Sequence, residues 1–206
     1  MHDRFVLESF WQKKSNCACV AFIKCLLLDN TLQKAFAISR SGKNLFIALL
    51  DGRILVFSEN EIRDINRQNA LSFKRPRNPQ NARQVKKIKQ FAETCFAILV
   101  RNMQLLGFDG KEYTRQDAID TLTKEGVSTS YFHKLLGLKR TRTTKLTGRN
   151  LQRLKKEKAA LLFNNKHITV ASRGYYEDFG EAVPVGTEIP VLLGQPATGW
   201  YRLAAR

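Results

Sequence analysis

The stretch SNCACVAFIKCLLLD, residues 15 to 29, holds three of the chain's four cysteines inside one apolar run. A cysteine in such a run is either a small buried hydrophobe or a nucleophile. The nucleophile is the thiolate, so the free-thiol pKa of about 8.5 has to come down for that form to dominate at neutral pH. A helix N-terminus helps, because its unpaired N–H groups and the positive end of its dipole favour an anion. Asn16 is a good N-cap, which makes Cys17 the first residue of a helix that is apolar on nearly every side, with Lys24 its one charged member. Cys19 and Cys25 lie deeper in that helix and gain little from its dipole. On the helix alone, inert packing and nucleophilic chemistry both stay open for Cys17.

A thiolate also needs a base, and of the three histidines His167 is placed for it. It opens a strand in which His167, Thr169 and Ala171 share one face, while Ile168 and Val170 share the other and can pack. If Arg173 and Gly174 form a two-residue turn, Thr169 pairs with Asp178 and Asp178 points to the face of His167, one diagonal step away. A three-residue turn changes the register and brings Glu177 there instead. A carboxylate that orients the ring completes the triad logic of thiol hydrolysis. His133, on the flank of an apolar helical face, reads as a satisfied or solvent-facing histidine.

The remaining cysteine patterns point elsewhere than metal or disulfide. C-x-C, Cys25 and a remote Cys95 lack the paired knuckles of a zinc site. Four cysteines in a chain of this length without a secretory leader make no disulfide framework. There is no acidic loop of the EF-hand type, and the chemistry suggested by Cys17 and His167 requires no metal or cofactor.

Several elements must position these residues. LFIALLDGRILVF, residues 45 to 57, reads as a hairpin about Asp51-Gly52, with both turn positions favouring φ > 0. LSFKRPRNPQN then reads as a connection. From Arg83 to Leu106, the apolar residues Val85, Ile88, Ala92, Cys95, Leu99 and Met103 recur at helical spacing, and Gly107 ends the helix. Thr114 and Asp117 resemble a capping box before Ala118, Ile119 and Leu122, with Gly126 as a stop. A short helix from Ser128 carries Tyr131, Phe132, Leu135 and Leu136, and a basic helix spans about 149 to 163. HITVA, SRG and YYEDF form a second hairpin, followed by short strands in VPVGTEIPVLLG and GWYRLA. The fold class expected is α+β in a single domain over 1–206: a mainly helical part, 1–163, with an inserted hairpin, then a β-rich part, 164–206.

Composition bounds the partners. With 43% hydrophobic and 26% charged residues, the 206-residue chain reads as globular. No apolar stretch reaches the roughly 18 residues of a membrane span and the N-terminus carries no leader, so a cytoplasmic location is expected. The net charge of +17 is concentrated: seven basic and no acidic residues lie in 74–89, and nine basic residues with one acid lie in 139–158. Such segments suggest attraction to nucleic acid, an anionic surface or an acidic partner. No readout motif of the RRM, KH, zinc-finger or Rossmann type is present.

The run Gln12 to Lys24, QKKSNCACVAFIK, resembles the nucleophile segment of papain-like cysteine peptidases, specifically of the calpain-like branch. There a Gln precedes a small polar residue, then Asp or Asn, then the catalytic Cys opening the central helix with an Ala four residues later. Asn16-Cys17 and Ala21 follow that pattern. The chain is also similar to uncharacterised bacterial calpain-like proteins that pair an NC-x-x-VA-x-IK segment with a DG hairpin, as in LLDGRILVFSENEI. Those proteins add a helical LLGL stretch, here 135 to 138, and a late His-led hairpin.

The resemblance implies a papain-like fold, with a central nucleophile-bearing helix in a helical lobe followed by a β-rich lobe, and a cysteine peptidase acting on a peptide or protein substrate. Carried over by position, Cys17 is the nucleophile, His167 the general base and acid, and Asp178 stands where the family has Asn or Asp. Gln12 donates its amide to an oxyanion hole beside the Cys17 backbone N–H. The chain departs from the family in that Gln12 lies one residue closer to the cysteine than usual. Lys13 replaces the familiar Gly, Ala18 stands where Trp is typical, and Lys166 precedes the histidine where Gly is common. The competing expectation is a catalytically inactive basic module that binds nucleic acid or an anionic surface through 74–89 and 139–158, its cysteines structural.

Overall fold

In a computed structural model of the chain, residues 3–12, 17–29, 34–69, 71–76, 78–107, 110–124 and 132–205 are described. The first half contains α1 (Asp3–Ser9), β1 (Phe10–Gln12), α2 (Cys17–Leu28), β2 (Phe36–Ser41), β3 (Asn44–Leu49), β4 (Ile54–Ser58), α3 (Glu59–Asn66), β5 (Leu71–Phe73) and α4 (Pro79–Leu106). The second half contains α5 (Arg115–Lys124), α6 (Phe132–Leu135), β6 (Lys139–Arg140), β7 (Thr144–Lys145), a 3₁₀ turn (Gly148–Asn150), α7 (Leu151–Lys156), β8 (Ala160–Phe163), β9 (Ile168–Ser172), β10 (Tyr175–Asp178) and β11 (Glu181–Pro184). Four short strands close the chain: β12 (Val191–Leu192), β13 (Gln195–Pro196), β14 (Gly199–Tyr201) and β15 (Leu203–Ala204). The architecture is mixed α+β.

Helix α2 lies at the centre, as its all-round apolarity requires: every residue from Ala18 to Leu28 is buried, Lys24 included. Its large side chains Phe22, Ile23 and Leu26 are fully buried, and each such burial contributes roughly 1.5–3 kcal/mol. One face packs on β9 and β8, and α1, α4 and α6 surround the rest. The strands it covers belong to an antiparallel sheet of order β11-β10-β9-β8-β14-β7. Strand alternation divides that sheet between two clusters: Leu161, Ile168 and Val170 join the core around α2, while Ala160, Leu162 and Ala171 join Trp200, Leu151 and Leu154 on the other side.

Two predicted hairpins form, with one difference in turn chemistry. β9 and β10 are joined by a two-residue turn in which Arg173 (φ 45°) and Gly174 (φ 86°) are both left-handed, pairing Ser172 with Tyr175 and Ala171 with Tyr176. β3 and β4 also pair, with Ala48 opposite Ile54. Their turn is a three-residue one, closed by Gly52 N–H to Leu49 O (3.1 Å) and Leu49 N–H to Arg53 O (2.8 Å), and only Gly52 of the Asp-Gly pair has positive φ. β2 pairs along the outer side of β3 and makes the hairpin a three-stranded meander.

Three expectations are corrected. The segment 71–81 is more than a connection: β5 pairs with β1, Phe73 opposite Phe10, and Pro79 is the first residue of α4. Asn78 caps that helix by accepting from the Asn81 N–H at 2.8 Å, so α4 starts before Arg83, with proline where its missing N–H costs nothing. The basic helix stops at Lys156 instead of continuing to 163. Ala160–Phe163 is the strand between β9 and β14, and its continuous apolar run reflects burial on both faces.

At the start of α5, the Thr114 N–H donates to Asp117 Oδ2 (3.1 Å) and the Asp117 N–H donates to Thr114 Oγ1 (3.2 Å), the reciprocal pair of a capping box. Thr114→Ala is expected to cost about 1 kcal/mol, read as a lowered urea midpoint at unchanged slope. An unchanged midpoint would show the cap to be idle. The stop expected at Gly126 and the helix start at Ser128 and Tyr131 lie outside the described residues, while the helical character of Phe132–Leu135 is observed.

Candidate active site

Cys17 is the first residue of α2 and the one partly exposed cysteine of the four. Its thiol lies within hydrogen-bonding reach of the backbone N–H of Ile168, the residue that follows His167, and of the N–H groups of Ala18 and of Cys17 itself. Burial pushes the thiol up from its ordinary value and the negative charge of Glu177 adds to this, while those N–H groups pull it down. Cys19 and Cys95 are pushed up by full burial, and Cys25 is pushed up to about 12. The cap expected at Asn16 lies outside the described residues.

His167 closes the four-residue loop between β8 and β9, so the strand proper begins one residue later than expected. Asn164 pins this loop. Its Oδ1 accepts from the N–H groups of Lys166 and His167 at 2.8 Å each, and its Nδ2 donates to the carbonyls of Leu192 (2.8 Å) and Gln195 (3.1 Å). The imidazole is 8% exposed and stacks on Phe179, with ring centroids 5.7 Å apart. Burial lowers its pKa below the usual histidine range, and the charges of Glu177 and Asp178 oppose that shift. An open cleft of about 580 Å³ runs beside the loop, lined by Phe163, Asn164, Asn165, Gln195, Pro196 and Thr198.

The two candidate carboxylates separate clearly. The two-residue turn is the one for which the sequence expects Asp178 on the face of His167. The β9–β10 pairing is observed at Ser172 opposite Tyr175 and Ala171 opposite Tyr176, and both Glu177 and Asp178 act on the ring, Glu177 the more strongly. Asp178 is half-buried; burial and its neighbour Glu177 raise its pKa, and His167 opposes them. Glu177 is buried and fully engaged: it pairs with Lys24 Nζ at 3.1 Å, accepts from Thr169 Oγ1 at 2.9 Å and accepts from the Gly180 N–H at 2.8 Å. Lys24 also donates to Leu7 O at 2.7 Å and lies 5.0 Å over the Phe10 ring. Glu177 therefore ties β10 to α2, which leaves Asp178 as the carboxylate not held by a buried cation.

Gln12 ends β1, opposite Leu71; its side chain lies outside the described residues. Strand β1 packs against α2. The preceding Trp11 rests on the tip of the β10–β11 hairpin so closely that a Cβ on Gly180 would lie 3.1 Å from its ring. The Cys17 thiol thus lies at the backbone of Ile168, the residue after His167, and the charges of Glu177 and Asp178 both act on the His167 ring, while β1 lies beside the β10–β11 hairpin. Reasoning from the sequence missed the Lys24–Glu177 pair, the Asn164 anchor and the Phe179 stack. A lone lysine in an otherwise apolar helix was the one local sign of a buried partner.

Among the described residues no group of three or more His, Cys, Asp or Glu side chains is gathered for a metal ion, and no helix is long and apolar enough to cross a membrane. No family model matches the chain, and no curated protein or solved structure matches it.

Proposed function

We propose that the protein is a papain-like thiol hydrolase, a cysteine peptidase that cleaves amide bonds through an acyl-enzyme on Cys17. The observation that carries this reading is the thiol of Cys17, at the first turn of the buried helix, lying at the backbone N–H next to His167. A central helix packed across an antiparallel sheet whose loop bears the histidine supports the papain-like arrangement. With the thiol raised and the imidazole lowered, the resting pair is neutral, and the thiolate forms when His167 takes the proton.

The thiolate then attacks the carbonyl carbon. The N–H groups at the start of α2, with the Gln12 amide, receive the developing oxyanion. His167 returns its proton to the leaving amine, and a water deprotonated by His167 releases the acyl group from sulfur. Asp178 steadies the imidazolium during both steps.

The test is alkylation by iodoacetamide at pH 7 with peptide mass mapping. Cys17 is expected to react faster than glutathione under the same conditions, although an unassisted buried thiol would react more slowly. Cleavage of casein is expected to disappear in Cys17→Ser. A Cys17 that reacts more slowly than glutathione would remove the enzymatic reading.

A further inference from the structure

The two basic segments differ in how far acids answer them. In 74–89, Lys74 pairs with Glu8 at 3.0 Å and Lys89 with Glu93 at 3.7 Å. In 139–158, none of the nine cations forms an ion pair among the described residues. The segment's one acid, Glu157, faces Arg202 at 3.7 Å.

Six of these cations follow one another along a ribbon edge and the turn and helix behind it. Residues 139–145 run antiparallel to 199–204, with Lys139 opposite Ala204, Arg140 opposite Leu203, and Lys145 opposite Gly199. Between those pairs, the Thr141 N–H donates to Arg202 O (2.9 Å) and the Arg202 N–H donates to Thr141 Oγ1 (2.9 Å). β7, with Lys145, is the outermost strand of the six-stranded sheet, and β6, with Lys139 and Arg140, continues that edge as the partner of β15. Arg142 lies between them, Arg149 follows in the 3₁₀ turn and Arg153 in α7, and all six are exposed. Two guanidinium groups are held in place over buried rings: Arg140 is 5.7 Å from the Tyr201 centroid and Arg153 is 5.6 Å from that of Trp200.

We propose that this edge ribbon, 139–145 with Arg149 and Arg153, binds the phosphate backbone of duplex nucleic acid without reading its sequence. An extended segment of this length spans at most about 20 Å, which matches roughly six phosphates of one duplex strand at 3.4 Å axial spacing. Arginine forks suit phosphate oxygens. Trp200 and Tyr201 are buried, so neither ring is offered to an unstacked base, and recognition stops at the backbone. Among the described residues the large exposed apolar side chains, such as Ile54, Leu105 and Val191, lie outside 139–158, so this ribbon offers a lipid bilayer charge without an apolar wedge. This surface is independent of the Cys17 chemistry.

The experiment titrates the whole protein into a labelled duplex of about 16 base pairs by fluorescence anisotropy, between about 50 and 200 mM NaCl. With six phosphates engaged, affinity is expected to fall roughly 2,000-fold over that range. The variant Arg142→Gln/Lys145→Gln/Arg149→Gln is expected to lower the log–log salt slope by about 3. Arg83→Gln/Lys86→Gln/Lys87→Gln, an equal change of charge on α4, is expected to leave that slope in place. All six positions are exposed, and thermal melting checks that both variants fold. Equal losses in the two variants, stronger binding to phosphatidylserine vesicles than to duplex, or salt-insensitive binding would overturn the proposal. So would a ribbon variant that self-associates but keeps its affinity, since the charges would then only guard a sheet edge.

Discussion

Alkylation of Cys17 at pH 7 is expected to slow by about 10²–10⁴-fold when His167 is replaced by alanine, the range over which a positioned acid–base group contributes. The effect is large because burial opposes unassisted ionisation of this thiol. Without the imidazole, the proton has to leave for bulk water from a site where Glu177 also disfavours the anion. The loop should survive the substitution. Asn164 holds the His167 N–H, and the ring stacks on Phe179, which is half exposed.

The pH dependence carries the same argument with a definite sign. His167 has a lowered pKa, so its neutral, proton-accepting form persists to a lower pH than an ordinary histidine would allow, and the wild-type rate falls only below that point. In His167→Ala the rate rises only as pH approaches the raised thiol value, so the ratio between the two proteins is greatest near neutrality and closes in alkali. Rates followed by intact mass from pH 5 to 10 give both profiles. Parallel profiles, with a ratio near one at neutral pH, would show that His167 does not serve the thiol.

The sequence carried the hairpin at Arg173-Gly174 and the burial of α2, because each depends on local chemistry: left-handed turn residues in one case, unbroken apolarity in the other. Ala160–Phe163 reads as the end of a helix in the sequence because a short apolar run has no period of its own. β2 escaped notice because its residues, FAISRS, are almost all exposed and alternate weakly; its partner β3 recruits it through backbone pairing. The candidate site divides in the same way. Cys17 and His167 could be chosen one at a time from residue type and position. The contact of the thiol with the Ile168 N–H depends on how α2 crosses β9, and no local pattern records that crossing. The length of the turn after β9 was also open in the sequence, and Lys24, which engages Glu177, lies far away along the chain.

Lys24→Met is expected to destabilise the fold by about 3–5 kcal/mol, because it strands the buried Glu177 carboxylate without its cation. The pair itself is not favourable by its charges alone. Burial depresses Lys24 to about 8 even though Glu177 opposes the shift, so the low-dielectric site costs the ammonium more than its partner returns. Lys24→Met/Glu177→Gln should therefore recover most of the loss, since the glutamine amide can still accept from the Gly180 N–H. Urea unfolding at pH 7 measures both variants, and a single variant as stable as the wild type would show that the pair is not buried as described.

Linkage adds a second reading of the same pair. The folded chain releases the Lys24 proton at about 8 and the unfolded chain only near pH 10.4. In that window the unfolded state binds more protons, so this group's contribution to stability rises with pH, and below the window its full burial penalty is felt. Lys24→Met should lose that slope. If the double variant also alkylates Cys17 at the wild-type rate while Asp178→Asn slows it, Glu177 belongs to the scaffold and Asp178 to the imidazole. The opposite result would exchange their roles, because of the two carboxylates acting on His167 among the described residues the double variant keeps Asp178.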